Sequence, residues 1–263
     1  YRCGIIDRAF LRGAHADAPG TSDRGVLRML ADEAYVHVQR AYRDSAYEGA
    51  KAFRDAYGCC FPSPKDTGEP SRIPPIKFIG VWDTVAAVGL PFAELVDALD
   101  RFIPVRFDDR TLGCNVEHAY HALAIDDERF TFHPMLWDEQ EEEGHRLQQT
   151  WFPGVHSNVG GGYPKEGLAL LSLHWMLDKI AASDNEDTAL RLLPDAREEI
   201  EKRPDPAAKM YNSRAGLASY YRYKPRDIPA ICAEHGAGIS IHSSATERIR
   251  RGAQDYNPAS LLY

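Results

Sequence analysis

The sequence predicts an α/β fold, a mostly parallel sheet with helices on both faces, and three observations predict it. Residues 76–82 and 149–155 are short apolar runs rich in β-branched and aromatic side chains. Runs of that kind suit strands buried on both faces better than half-solvated ones. Each ends at a polar residue, Asp83 and His156, and an apolar helical segment follows the second from about Leu168 to Ile180. Strand, loop and helix in that order form the repeating unit of an α/β protein.

The elements follow in order. Residues 24–57 read as one or two helices, because Leu27, Leu30, Ala34, Val38 and Ala41 recur at three- and four-residue spacing. Residues 62–75, with six prolines and glycines, are expected to be a loop insertion. After the strand at 76–82, residues 93–101 and 114–124 are expected as two short helices and residues 130–132 as a brief strand. The acidic run at 138–144 reads as a solvated loop, and residues 184–210 as a charged helical insertion. The whole of 1–263 is read as a single domain, since 263 residues at 44% hydrophobic and 27% charged suit one globular domain or two at most.

Composition removes several function classes. The chain has 31 Lys and Arg against 39 Asp and Glu, a net charge of −8 without any basic run. Nucleic-acid binding through a basic surface is therefore not expected. No run approaches the roughly 18 apolar residues of a membrane-spanning helix, and no signal-peptide pattern opens the chain. The five cysteines, Cys3, Cys59, Cys60, Cys114 and Cys232, are sparse and lack CxxC spacing. Neither a disulfide framework nor a zinc knuckle is indicated, so a reducing, cytoplasmic setting is expected. No cofactor motif is evident.

Asp83 and His156 share one placement, the C-terminal end of a buried strand, where loops of an open α/β sheet converge on a crevice. A carboxylate that orients an imidazole, which takes a proton from a nucleophile, is the acid–base half of a hydrolytic triad. The chain order acid then histidine is that of α/β-hydrolases. The alternative reading makes Asp83 a helix cap and His156 a loop hydrogen-bonder. No Gly-x-Ser-x-Gly elbow accompanies the pair: Gly238-Ile239-Ser240-Ile241-His242 fails at its last position, and Ser157 has the wrong glycine spacing. His242 is the second candidate for the base.

Three longer segments occur in order: Phe78-Ile79-Gly80-Val81-Trp82-Asp83-Thr84-Val85, His121-Ala122-Leu123-Ala124-Ile125-Asp126-Asp127, and Trp151 through His156-Ser157-Asn158-Val159-Gly160-Gly161-Gly162-Tyr163. Together they resemble the DUF2235 family of α/β-hydrolase-like proteins, which includes the catalytic domain of Tle1-type type VI secretion phospholipase effectors. Ile241-His242-Ser243-Ser244 to Arg248 and Tyr256-Asn257-Pro258 are similar to its C-terminal signature. The resemblance implies a serine esterase acting on phospholipids or other acyl esters, with Asp83 as triad acid, His156 as base, and Trp82, Thr84, Ser157, Asn158, Gly160 and Gly161 in support. It also implies possible export as an effector, with a secretion-system or immunity-protein partner. The chain opens on Tyr1-Arg2-Cys3-Gly4, like the family's segment just after the nucleophile helix. An N-terminally truncated domain, lacking its first strands and serine and inactive alone, is therefore expected. The family usually has Asp where this chain has Asn158, which keeps the hydrogen-bonding shape without the charge.

Other constellations compete. A catalytically inactive interaction or regulatory module on the same fold is one alternative, and Asn158 favours it slightly. A metal-dependent hydrolase is another: on a helix over 114–124, His118 and His121 would share a face and hold a metal with Glu117 or His133. The run Gly160-Gly161-Gly162 can expose N–H groups to a phosphate but more simply permits a tight turn beside His156.

Overall fold

A computed structural model describes residues 23–44, 47–58, 73–85, 110–113, 115–139, 146–183, 193–214 and 221–261. The chain divides into two compact units: residues 1–76, 102–109 and 113–115 form one, and residues 77–101, 110–112 and 116–263 the other. The expected loop at 62–72, the helix at 93–101, most of the acidic run and the N-terminal segment to residue 22 lie outside the described residues.

In the first unit, α1 (Asp23–Asp44) packs on α2 (Tyr47–Tyr57). The seam is made by buried Val26 and Leu30 against Ala50 and Phe53, with Ala34, Val38 and Tyr57 at its edge. An isolated helix of 11 residues is marginal in water, and burial of a Leu or Phe side chain, worth roughly 1.5–3 kcal/mol, stabilises the pair. The expected apolar stripe is corrected at one position: Leu27 is 41% exposed. Both Val26 and Leu27 have helical spacing to Leu30, and only the position of α2 decides which is covered.

The second unit is built on three strands in the order β1 (Ile76–Trp82), β2 (Val116–Ala124) and β3 (Leu147–Phe152). Strand β2 pairs parallel with β3 from Ala119 opposite Leu147 to Ala124 opposite Phe152. Along β1, the Ile76 N–H donates to the Asn115 carbonyl and the Asp83 N–H to the Ala122 carbonyl, both at 2.8 Å. Strand β1 thus runs the same way, and the sheet is parallel.

Within residues 114–124, read above as a helix, Val116–Ala124 form the central strand of this sheet. Alanine, leucine and histidine at short spacing satisfy a helical pattern locally, but the side chains alternate. Tyr120, Ala122 and Ala124 face one cluster with Phe152, Val159, Trp175 and Met176, while Leu123 joins Trp151, Leu136, Ile228, Cys232 and Ala245 on the other. A strand between two partners meets apolar groups on both faces, so no polar stripe marks it. Gly80 of β1 shows how close the covering helix comes, since a Cβ there would lie 2.7 Å from the Met176 sulfur.

Helix α3 (His156–Val159) and helix α4 (Gly167–Ser183) follow β3, and α5 (Pro194–Lys202) lies within the segment expected to be helical. Met176 and Trp175 of α4 cover one sheet face; α6 (Ile228–Glu234) and α7 (Ser243–Arg250) place Ile228, Cys232 and Ala245 on the other. Residues 130–132 form a 3-10 turn and not a strand. Just before them, Arg129 makes an isolated antiparallel bridge to Tyr223. Strand β3 stops at Phe152, before Pro153, which has no N–H to continue the ladder.

Candidate active site

The ends of β1 and β3 bring two side chains together. Asp83 stands one residue past β1 and is wholly buried, and its Oδ2 lies 2.7 Å from Nδ1 of His156, the first residue of α3. The His156 side chain is 29% exposed, and Nε2 has no hydrogen-bond partner among the described residues. One imidazole nitrogen therefore faces the acid while the other is available to a reacting group.

Each side chain is held by its element. Asp83 adopts φ 39°, in the left-handed region where a non-glycine residue is uncommon. Its neighbours fix it there: its N–H pairs with Ala122, and Oδ1 accepts the Ala124 N–H at 2.9 Å. The following residue, Thr84, donates its N–H to Nε2 of His121 at 3.1 Å. His121 is fully buried, and burial, ahead of the opposing pull of Asp83, lowers its pKa to about 4. It is thus neutral at ordinary pH, accepting at Nε2 and donating from Nδ1 to Gln149 Oε1 at 3.3 Å.

The turn into His156 depends on Gly154, whose φ is 120° and where a Cβ would sit 2.5 Å from the Asn158 Cβ. Asp126 Oδ2 accepts the Gly154 N–H at 2.6 Å, and Asp127 Oδ2 accepts the His156 N–H at 3.0 Å. Asp127 is in turn gripped by Arg129, Nε to Oδ1 at 3.0 Å and Nη2 to Oδ2 at 2.7 Å. Burial works to raise the Asp127 pKa, and the Arg129 bonds outweigh it to hold the carboxyl below its ordinary value.

The buried counter-ion of the site is Arg226, itself 0% exposed. Its guanidinium meets Asp83 as a fork, Nη1 to Oδ1 at 2.7 Å and Nη2 to Oδ2 at 3.0 Å, and also donates to the carbonyls of Ala124 and Phe132. Burial alone would raise the Asp83 carboxyl. The Arg226 charge, with hydrogen bonds from His156, Arg226 and the Ala124 N–H, reverses that and holds it well below the usual carboxylate range. Phe132 stands against the imidazole, ring centroids 5.4 Å apart at 83°.

The remaining predicted residues differ in what they touch. Trp82 donates from Nε1 to Ser172 Oγ at 3.1 Å, and that hydroxyl donates to the Val159 carbonyl at 2.6 Å, tying together the segments that carry Asp83 and His156. Ser157 lies in α3 without a hydrogen-bond partner among the described residues. Gly160 donates to the His156 carbonyl at 2.8 Å, and Gly161 has φ 89°, so this run forms a turn. Asn158 is 1% exposed and does not touch the imidazole; Oδ1 accepts the N–H groups of Val155 and Tyr211, and Nδ2 lies 3.5 Å from the Lys209 carbonyl.

His242 is not placed as a base against an acid. It caps α7, its Nδ1 bonded to Ser244 Oγ at 2.8 Å, and its ring stacks on Phe152 at 4.5 Å. The metal reading is also corrected. On strand β2, His118 and His121 point to opposite faces of the sheet, and His121 Nε2 is engaged by Thr84. Among the described residues no group of three or more His, Cys, Asp or Glu could hold a metal ion.

Sequence reasoning missed Arg226, Phe132 and the anchoring role of Asp127. Asp127 sits in one of the motifs quoted above, two residues before Arg129, a visible if weak signal. Arg226 had none: it comes after Pro225 in an irregular stretch, just before Asp227, whose side chain caps α6 by accepting the Ala230 N–H at 3.0 Å.

A parallel sheet layered between helices, with a buried acid–histidine pair at its carboxyl edge, defines an α/β protein whose crevice has the parts for acid–base chemistry. Residues 14–179 match the family described as "T6SS, Phospholipase effector Tle1-like, catalytic domain", and the chain belongs to this family. Comparison with curated proteins and with solved structures yields no match. Among the described residues no helix is long and apolar enough to cross a membrane.

Proposed function

We propose that Asp83 and His156 are the acid and base of a serine esterase that cleaves acyl esters of phospholipids, on the α/β-hydrolase plan that the DUF2235 resemblance implies. The observation that carries the reading is the 2.7 Å Asp83–His156 contact with Nε2 left open. On this reading the nucleophile is a serine presented to the open Nε2 of His156. Its Oγ attacks the ester carbonyl carbon as His156 Nε2 takes its proton. The tetrahedral oxyanion then collapses, the acyl–oxygen bond breaks, and the departing alkoxide takes that proton from His156. Water repeats the sequence on the acyl-enzyme and releases the fatty acid. Asp83 stays ionised throughout and steadies the imidazolium.

The family description supports a lipid substrate. So does a cavity of about 340 Å³ lined by Trp82, Val159, Gly160, Gly161, Ala169, Leu170 and Leu173, with Glu166 as the charged group among them. We assign the acyl chain to this mostly apolar cavity, because Trp82 adjoins Asp83 in the chain and Gly160 in its lining is bonded to the His156 carbonyl. On the same reading the protein is exported as a type VI effector and meets an immunity protein in the cell that makes it. Asn158 does not favour an inactive module, because its side chain is spent on backbone groups.

The test is labelling with a fluorophosphonate probe, comparing this chain with a form extended upstream. Labelling of the extended form alone, abolished by His156→Ala, is the expected result. Labelling of the shorter chain would move the serine into it, and labelling of neither would overturn the esterase reading.

A further inference from the structure

We propose that Arg226 is a positioning residue for this site: its fork fixes the orientation and the charge of Asp83, and its bond to the Phe132 carbonyl holds the other group that touches the His156 ring. The inference rests on the reading of Asp83 and His156 given above and adds a residue to it.

The contacts divide in a way that a purely structural ion pair would not need. Oδ1 of Asp83 is already satisfied by the Ala124 N–H at 2.9 Å. The Nη2 bond at 3.0 Å goes instead to Oδ2, the oxygen that also receives His156 Nδ1 at 2.7 Å. A planar fork that occupies both oxygens forbids the carboxylate from rotating, so Oδ2 stays aimed at the imidazole. The same Nη2 donates to Phe132, whose ring meets the imidazole edge to face. One guanidinium thus orders the two groups that flank the base.

Charge follows from the same geometry. The groups facing Asp83 are Arg226, His156, the neutral His121 and the Ala124 N–H. Around Arg226, the charges of Asp126, Asp127 and His133 also feel its field. The side chains of Asp83 and Arg226 are both at 0% exposure, so the pair is out of contact with solvent.

The experiment separates charge from geometry with two substitutions. Arg226→Met removes both, and Arg226→Lys keeps a charge without a fork. In the chain itself, carbon-13 NMR follows the Asp83 carboxyl against pH, with Asp83→Asn identifying the signal. Arg226→Met is expected to raise the protonation midpoint by roughly 1–3 pH units, and Arg226→Lys to leave it low. In the upstream-extended enzyme, Arg226→Lys is expected to lower kcat by about 10²-fold with KM unchanged, as misplacement of a catalytic group by about 1 Å does.

A folded Arg226→Met chain whose midpoint does not move, or an Arg226→Lys enzyme with full kcat, would overturn the proposal. If the methionine variant does not fold, the lysine variant decides alone, and its failure to fold counts against the proposal. Asp83→Asn and His156→Ala enzymes that keep full activity would sink the reading of the pair itself. Loss in those two beside full activity in Arg226→Lys would remove only Arg226 from it.

Discussion

Asp83 and Asp126 stand just beyond neighbouring strands of one sheet, and their carboxyls are driven in opposite directions. Burial pushes both up. Asp83 receives the Arg226 fork as well, and stays ionised. Asp126 receives only neutral donors directly, the Gly154 N–H at 2.6 Å and the Tyr256 hydroxyl at 2.9 Å on Oδ2, and its pKa rises to about 6. The difference lies in the partner and not in the depth: a bonded cation outweighs desolvation, and uncharged hydrogen bonds do not. One carboxylate is thereby suited to hold a charged imidazole, and the other to brace the turn that leads to it.

The comparison is broken most severely at Asp83. Asp83→Asn leaves Arg226 buried without its anion, which costs about 3–5 kcal/mol, and in the extended enzyme kcat should fall about 10⁴-fold. Urea denaturation and ester turnover measure the two effects. Stability unchanged by the substitution would mean that Arg226 finds another partner.

A smaller loss is expected at His121, which supports the Asp83 turn from below. His121→Ala removes the acceptor of the Thr84 N–H and costs about 2 kcal/mol. The native pKa of about 4 lies below the ordinary imidazole value of 6.5, so the unfolded chain binds the proton more readily. The stability attached to His121 is therefore present above pH 6.5 and lost as pH falls through about 4. In a denaturation series from pH 4 to 7, the stability difference between wild type and variant should widen as pH rises, whatever the other groups contribute to both.

At Asp126 the sign reverses. Its native pKa of about 6 exceeds the ordinary carboxyl value of 3.8, so the stability attached to it is complete below pH 3.8 and lost as pH rises through about 6. Asp126→Asn keeps an acceptor for Gly154 and Tyr256 without the charge. It is expected to raise stability by about 1 kcal/mol at pH 8 and to change nothing at pH 4. Thermal melts at the two pH values check it; destabilisation at pH 8 would show that the carboxylate is needed as an anion.

The smallest effect belongs to Asn158→Asp. The carboxylate still accepts the N–H groups of Val155 and Tyr211 but gives up the long contact to Lys209. A loss of about 1 kcal/mol is expected, with kcat within threefold in the extended enzyme. A larger rise in activity would give the carboxylate at this position a catalytic part that the asparagine cannot play.

Much of this arrangement was legible locally. The strands at Ile76–Trp82 and Leu147–Phe152, the helix beyond the second, and the pair Asp83 and His156 follow from apolar runs that end in polar residues. The central strand was misread because its alanines satisfy a helical pattern and both its faces are apolar, so no alternation of polar and apolar residues marks it. The metal reading failed with it, because two histidines three apart share a face on a helix and oppose each other on a strand.

What the sequence by itself determined, then, are the features that depend on neighbours in the chain: the apolar runs that become β1 and β3, the helix beyond the second, and the polar residues Asp83 and His156 that come after them. Only the tertiary structure decided which partner each buried charge meets. Arg226 reaches Asp83 across 143 residues of chain, and Tyr256 reaches Asp126 across 130. Desolvation, counter-ions and sheet pairing act through space, where sequence spacing carries no measure of distance. Whether a buried carboxyl keeps its charge is settled there.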